Sequence, residues 1–230
     1  MKKVLLLLSL LFMTLCYAQE INQVPQISVT GEGKVKVIPD QATITATVQT
    51  KGNNAKEVKK ENDQHIEAVL KIIKKMNVAA ADYKTQRVLL NPIFDYEKKK
   101  TTYNAIQTVE ILLRDLSQYD ALMEGLVNEG VNKIDNVVFQ SSKLAHYQSE
   151  ARKLAMKDAK LKAEDYVSVL GQKVGKAITI TDNSQNYQPQ PFYARMKTME
   201  VDGGSTAVRE TLAAGEITIT ANASVSFLLE

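Results

Sequence analysis

The chain has 230 residues, of which 44% are hydrophobic and 24% charged, and a formal net charge of +3. These proportions belong to a soluble globular protein with room for one substantial domain or two small ones. They exclude a framework held by disulfides and chemistry run by thiols, because the only cysteine is Cys16, inside a terminal stretch predicted to be removed.

That stretch opens on Lys2-Lys3, runs through apolar residues from Val4 to Phe12 and ends on Cys16-Tyr17-Ala18. A basic end, an apolar centre too short for a membrane span and a small-residue cleavage site predict a secretory signal peptide over residues 1–18. Leu15 argues against lipidation, which needs a small residue before the cysteine. Losing two lysines leaves 27 basic against 26 acidic side chains, so the overall charge implies no anionic partner. No later apolar run is long enough to cross a bilayer as a helix.

Residues 19–230 are predicted to form one domain. Ala42, Ile44, Ala46 and Val48 alternate with Thr43, Thr45, Thr47 and Gln49, the period of a half-buried strand. Upstream, Ile27, Val29, Val35 and Val37 alternate around Gly31-Glu32-Gly33. The glycines predict one break in this strand and Pro39 a second. At the far end, Ile217 to Leu229 alternates in the same way, which predicts a single sheet joined by both ends of the chain.

Between them, Gly52-Asn53-Asn54 predicts a turn and a helix start. Val58, Ile66, Val69, Ile72, Ile73 and Met76 then recur at helical spacing, with lysines and glutamates opposite. Asn62 and His65 fall on or near the apolar stripe and are read as locally hydrogen-bonded residues at the edge of a core. Lys84 to Asp95 reads as a strand interrupted at Pro92, paired across a charged turn with Tyr103 to Arg114. Ser117 is expected to cap a short helix that ends at Gly130. A strand over Ile134 to Ser141 follows. The longest helix, Leu144 to Leu170, carries Ala151, Ala155, Ala159 and Ala163 in a row that lets it approach a sheet or a partner helix closely. After a strand at Ala177 to Thr181, residues 182–215 read as a long irregular loop holding Tyr187, Phe192, Tyr193, Met196 and Met199. A connection of that length is functional or disordered as a rule.

The predicted fold is α+β: a mainly antiparallel sheet with helices on one face, built on a ferredoxin-like β-α-β-β-α-β core and extended by the long helix and C-terminal strands.

Little in the sequence points to catalysis. The two histidines, His65 and His146, lie in different predicted helices, and no cysteine remains to help them bind zinc. There is no Gly-x-Ser-x-Gly elbow, and Gly31-Glu32-Gly33 lacks the third glycine and following helix of a phosphate cradle. No catalytic, metal-binding or cofactor-binding residue is assigned. The Lys59-Lys60 and Lys74-Lys75 pairs are too thin a basis for nucleic acid. Peripheral contact with anionic lipid suits them better, although neighbouring glutamates dilute it.

Several stretches together resemble the SIMPL-domain family of bacterial envelope proteins, described as a domain of unknown function. They are Ile27 to Gly33 with Pro39-Asp40-Gln41-Ala42, Asp82 to Gln86, Asn91-Pro92, Asp95-Tyr96, Tyr103-Asn104-Ala105, Arg114-Asp115-Leu116, the helix from Ala151 with its Leu170-Gly171 exit, and Gly215-Glu216. The resemblance implies a periplasmic or outer-membrane-associated protein, a ring-like oligomer as one member forms, and a loose link to oxidative-stress tolerance. It brings no active-site residues.

The expected function is therefore that of a non-enzymatic, self-assembling envelope protein. The candidate subunit or partner contacts are Ala151, Ala155, Ala159 and Ala163, with Tyr187, Phe192, Tyr193 and Met196 of the loop. The alternative is a monomeric adaptor that binds another envelope protein through residues 182–215.

Overall fold

The structure, a computed structural model, describes residues 24–97, 99–184, 212 and 214–230. The predicted signal peptide and most of the predicted loop, including Tyr187, Phe192, Tyr193 and Met196, lie outside the described residues.

The strands are β1 (Gln26–Val37), β2 (Gln41–Gly52), β3 (Tyr83–Asp95), β4 (Lys100–Leu113), β5 (Lys133–Gln140), β6 (Val174–Asp182) and β7 (Ile217–Leu229). The helices are α1 (Ala55–Lys75), α2 (Tyr119–Asn128) and α3 (Leu144–Ser168). The expected α+β class with antiparallel sheets is what the chain adopts. The single sheet is not. Strands pair in two separate sheets, one ordered β1-β7-β6 and the other β3-β4-β2-β5, with all neighbours antiparallel.

The two ends of the chain do meet, since β1 pairs with β7 from Gln26↔Leu228 to Val37↔Ile217. Pro39 sends β2 elsewhere, and with it the β-α-β-β-α-β run from β2 to β5. The long helix and C-terminal strands therefore do not extend that run but build the second sheet with β1. Each sheet has its own core and its own helical cover. Ile44, Val48, Val69, Ile73, Val109, Ile111, Leu122 and Leu126 join β2 and β4 to α1 and α2. Val29, Ile219, Val225, Phe227 and the four row alanines join β1 and β7 to α3.

Local chemistry sets the ends of these elements. The Asn54 side chain accepts from the N–H groups of Lys56 at 2.9 Å and Glu57 at 3.3 Å, filling two of the orphan donors of α1. The expected cap at Ser117 is corrected: Asp115 is the acceptor, taking the Ser117 N–H at 3.0 Å, and a 3₁₀ turn at Leu116–Gln118 leads into α2. Gly130, at φ +106°, ends α2 in a conformation that a side chain would resist. Pro92 does not interrupt β3. The strand is the edge of its sheet, where a missing N–H is tolerated.

The chain passes between the sheets twice, over residues 38–40 and 141–143, and the two crossings are tied together. The Asp40 N–H donates to the Gln140 carbonyl at 3.3 Å, and the Asp40 carboxylate accepts from the Ser142 N–H at 2.7 Å and the Ser142 hydroxyl at 2.5 Å. Partial desolvation raises the Asp40 pKa. The Ser142 hydrogen bonds and the nearby Lys143 outweigh it and hold the carboxyl below its ordinary value.

Candidate functional site

The alanine row lies against the chain's own sheet. Ala151, Ala155, Ala159 and Ala163 are each 0% exposed. A Cβ built on Gly31 would stand 2.0 Å from the Ala155 carbonyl oxygen, and one on Gly33 would stand 2.0 Å from the Ala151 carbonyl oxygen. β1 therefore runs unbroken through its glycines, correcting the predicted interruption. The missing side chains let α3 rest on the strand backbone rather than bend it. Side chains fix the register: the Glu32 N–H donates to Asp158 at 2.8 Å, and the Lys162 ammonium bonds Asp158 at 2.7 Å and the Thr30 carbonyl at 3.1 Å. The Lys162 bond, chiefly, and the Glu32 N–H lower the Asp158 pKa. The four alanines thus have no free surface for a second subunit, because the chain's own β1 and β7 occupy it.

A second anchor joins Asp82 to Arg114. The guanidinium Nε and one terminal nitrogen each donate to the carboxylate at 2.6 Å, a bidentate pair in which the Asp82 side chain is 6% exposed and Arg114 60%. The hydrogen bond from Arg114 holds the Asp82 carboxyl below its usual value. Nothing in the sequence around Asp82-Tyr83 or Arg114-Asp115 says that the two side chains meet, because they are 32 positions apart.

Two open clefts lie in the four-stranded half. One, of about 460 Å³, borders the Asp82–Arg114 pair and is lined also by Met76, Asn77, Leu113 and Asp115; Asp82 and Arg114 satisfy each other, and Asp115 accepts from Ser117 and Gln118. The other, of about 510 Å³, is lined by His65, Glu61, Thr50, Val127, Gly130 and Asn132. His65 Nδ1 lies 3.3 Å from the Glu129 carbonyl, and its ring fills the place of a Gly130 side chain. His146, on α3, lies 3.4 Å from Glu150 of the next turn and its ring meets Tyr147 edge-on. The imidazoles thus sit over different sheets, and among the described residues neither meets a serine and a carboxylate in a nucleophile-base geometry. Among the described residues, no group of three or more His, Cys, Asp or Glu side chains could hold a metal ion. Buried Asn62 donates to the Val48 carbonyl at 3.1 Å and to Thr50 at 3.2 Å, as its place beside the apolar stripe predicts.

The exposed apolar residues form two further groups. On the three-stranded sheet, Ile178 and Ile180 of β6 are 48% and 60% exposed, and α3 turns Leu154, Leu161 and Tyr166 outward. On the four-stranded sheet, Val88, Leu90, Ile93 and Phe94 of β3 and Tyr96 beyond it are all exposed. β6 and β3 are edge strands. Their apolar residues mark each as a strand but say nothing of its place in a sheet, so this exposure was illegible in the sequence.

The SIMPL profile, described as "Protein of unknown function (DUF541)", matches residues 27–227. The chain belongs to the SIMPL family. It is 27% identical over 216 residues to the "Uncharacterized protein YggE" of Escherichia coli (strain K12), covering 93% of this chain and 87% of that one. It is 25% identical over 198 residues to the protein of the same name in Edwardsiella ictaluri (strain 93-146), covering 84% and 82%. It is 26% identical over 223 residues to the "26 kDa periplasmic immunogenic protein" of Brucella melitensis biotype 1, covering 92% and 88%. The SIMPL match spans both sheets. Among the stretches whose resemblance to the family is read from the sequence, some contain framework anchors: Gly31 and Gly33 under α3, Asp40 at the crossing, and Asp82 and Arg114 of the ion pair.

Proposed function

We propose that this SIMPL protein is exported to the periplasm and acts there without catalysis, by assembling with copies of itself through the free edge of β6 and the outer face of α3. One observation carries the reading: β6 ends its sheet, has no strand beyond it among the described residues, and holds Ile178 and Ile180 in solvent. An exposed edge with apolar side chains is a template for another chain, and natural edges are ordinarily covered or blunted. α3 packs on β1 and β7 and barely touches β6, so the face of that strand is left uncovered among the described residues; Tyr166 and Leu170, 64% and 71% exposed, add apolar surface on α3 and just after it. The compartment follows the name of the Brucella relative and the predicted signal peptide.

Light scattering on the chain from Gln19 onward tests the reading. The expected result is a mass of at least two chains at micromolar concentration, falling to one chain in Ile180→Lys with secondary structure unchanged. A wild-type monomer would refute it.

A further inference from the structure

The β3–β4 hairpin reaches past the rest of its sheet. β2 pairs with β4 only as far as Gly52↔Tyr103, whereas β3 and β4 continue through Ile93↔Thr102 and Phe94↔Thr101 to Asp95↔Lys100. Those last rungs have no third strand. α1 packs over β2 and β4, leaving β3 almost bare. A two-stranded ribbon is marginal in water on its own, and this one carries apolar side chains on both faces, Phe94 on the helix side and Ile93 on the other. Val88 and Leu90 continue the first face, and Leu89 the second, where β2 still backs β4. Phe94 is 49% exposed and Tyr96 84%, and their rings meet edge to face at 5.0 Å.

Charge is concentrated in the same place. Residues 87–100 hold four basic and two acidic side chains, in a mature chain that is close to neutral. Lys99, at φ +47°, and Lys100 stand at the turn beside the aromatic pair. On α1, six lysines are interspersed with four acidic side chains over 21 residues, and Lys59 and Lys71 are paired with Asp63 and Glu67.

We propose that the tip of this hairpin, through Ile93, Phe94, Tyr96, Lys99 and Lys100, docks at the surface of an anionic phospholipid bilayer. An apolar groove on a protein would cover one face of the ribbon. A bilayer interface receives both faces, takes aromatic rings at headgroup depth and pairs lysines with lipid phosphates while their stems stay apolar. Ribbon hydrogen bonds satisfy the inward backbone groups, and the outward ones still reach water at that depth. Three unsupported rungs, about 10 Å of strand, are too short to span the bilayer. This surface is separate from the β6 edge, so the two proposals stand or fall independently.

The chain contains no tryptophan, so Tyr96→Trp places a single reporter at the tip. Using the chain from Gln19 onward, vesicles of 30% phosphatidylglycerol in phosphatidylcholine should blue-shift the tryptophan emission and sediment the protein. Pure phosphatidylcholine vesicles should do neither, and added salt should weaken the effect. On the wild-type background, Phe94→Ala with Tyr96→Ala, and separately Lys99→Glu with Lys100→Glu, should each lower vesicle partitioning tenfold or more with unchanged circular dichroism. Absence of binding to anionic vesicles, or binding that survives both double variants, would overturn the proposal. So would a blue shift produced by an added envelope protein and not by lipid.

Discussion

The two cores of this protein bury similar elements by opposite means. In the four-stranded half, Ile44, Ile73, Ile111, Leu122 and Leu126 fill the space between sheet and helices with branched side chains. In the three-stranded half, the helix has come down onto the strand and removed the space: Gly31 and Gly33 face the backbone of Ala151, Ala155 and Ala159. The first core is held by volume and the second by proximity. A volume-filled core tolerates rearrangement by shifting rotamers, whereas two backbones in contact have nothing to shift. The same contact leaves α3 anchored over β1 and β7 and β6 uncovered, so the packing device in that half also creates its exposed edge.

The largest expected effect comes from adding volume where proximity rules. Gly31→Val puts a side chain into the Ala155 carbonyl and should cost about 4 kcal/mol or more. Ala155→Leu should act in the same direction. Hydrogen exchange would show the loss of protection confined to β1, β7 and α3, and equal loss in β2 and β4 would mean that the two cores unfold as one. Removing volume where volume rules comes next. Leu122→Ala should cost about 3 kcal/mol, read as a lower urea midpoint, and an effect below about 1 kcal/mol would show that the four-stranded half collapses around the gap. Asn54→Ala, which strips the cap of α1, should cost about 1 kcal/mol and leave the three-stranded half untouched.

The smallest effect is electrostatic and concerns pH. Asp82 has a folded pKa below its ordinary 3.8 because Arg114 binds the charged form. A lowered folded pKa means that the unfolded chain takes up protons first. The contribution is therefore complete above 3.8 and lost as pH falls through the lower folded value. Because Arg114 is largely exposed, solvent screens the pair. Asp82→Asn should lower the urea midpoint slightly at neutral pH, and the gap from wild type should close in acid. A gap that persists at about pH 2 would assign the loss to packing instead.

How far the sequence carried the candidate surfaces differs between these halves. The alanine row was legible as a device for close approach, whereas Gly31 and Gly33 read only as a break in the strand. That they are the row's partners in space depends on a register between residues more than a hundred positions apart. The strand character of β3 and β6 was legible in their apolar residues. Their exposure was not, because a strand's pattern is the same at an edge as in the middle.

By itself, the sequence determined the elements and their type, since periodicity, caps and turn residues act over a few positions. It also pointed to a sheet shared by both ends of the chain, because each end carries a one-sided apolar strand; that β1 and β7 are direct neighbours in it is a finding of the structure. Only the tertiary structure decided that Pro39 divides one expected sheet into two, that the alanines face inward, and that Asp40 and Ser142 bind the crossings together. Those outcomes turn on competition among long-range contacts of similar energy, where backbone geometry and the space already filled choose the partner.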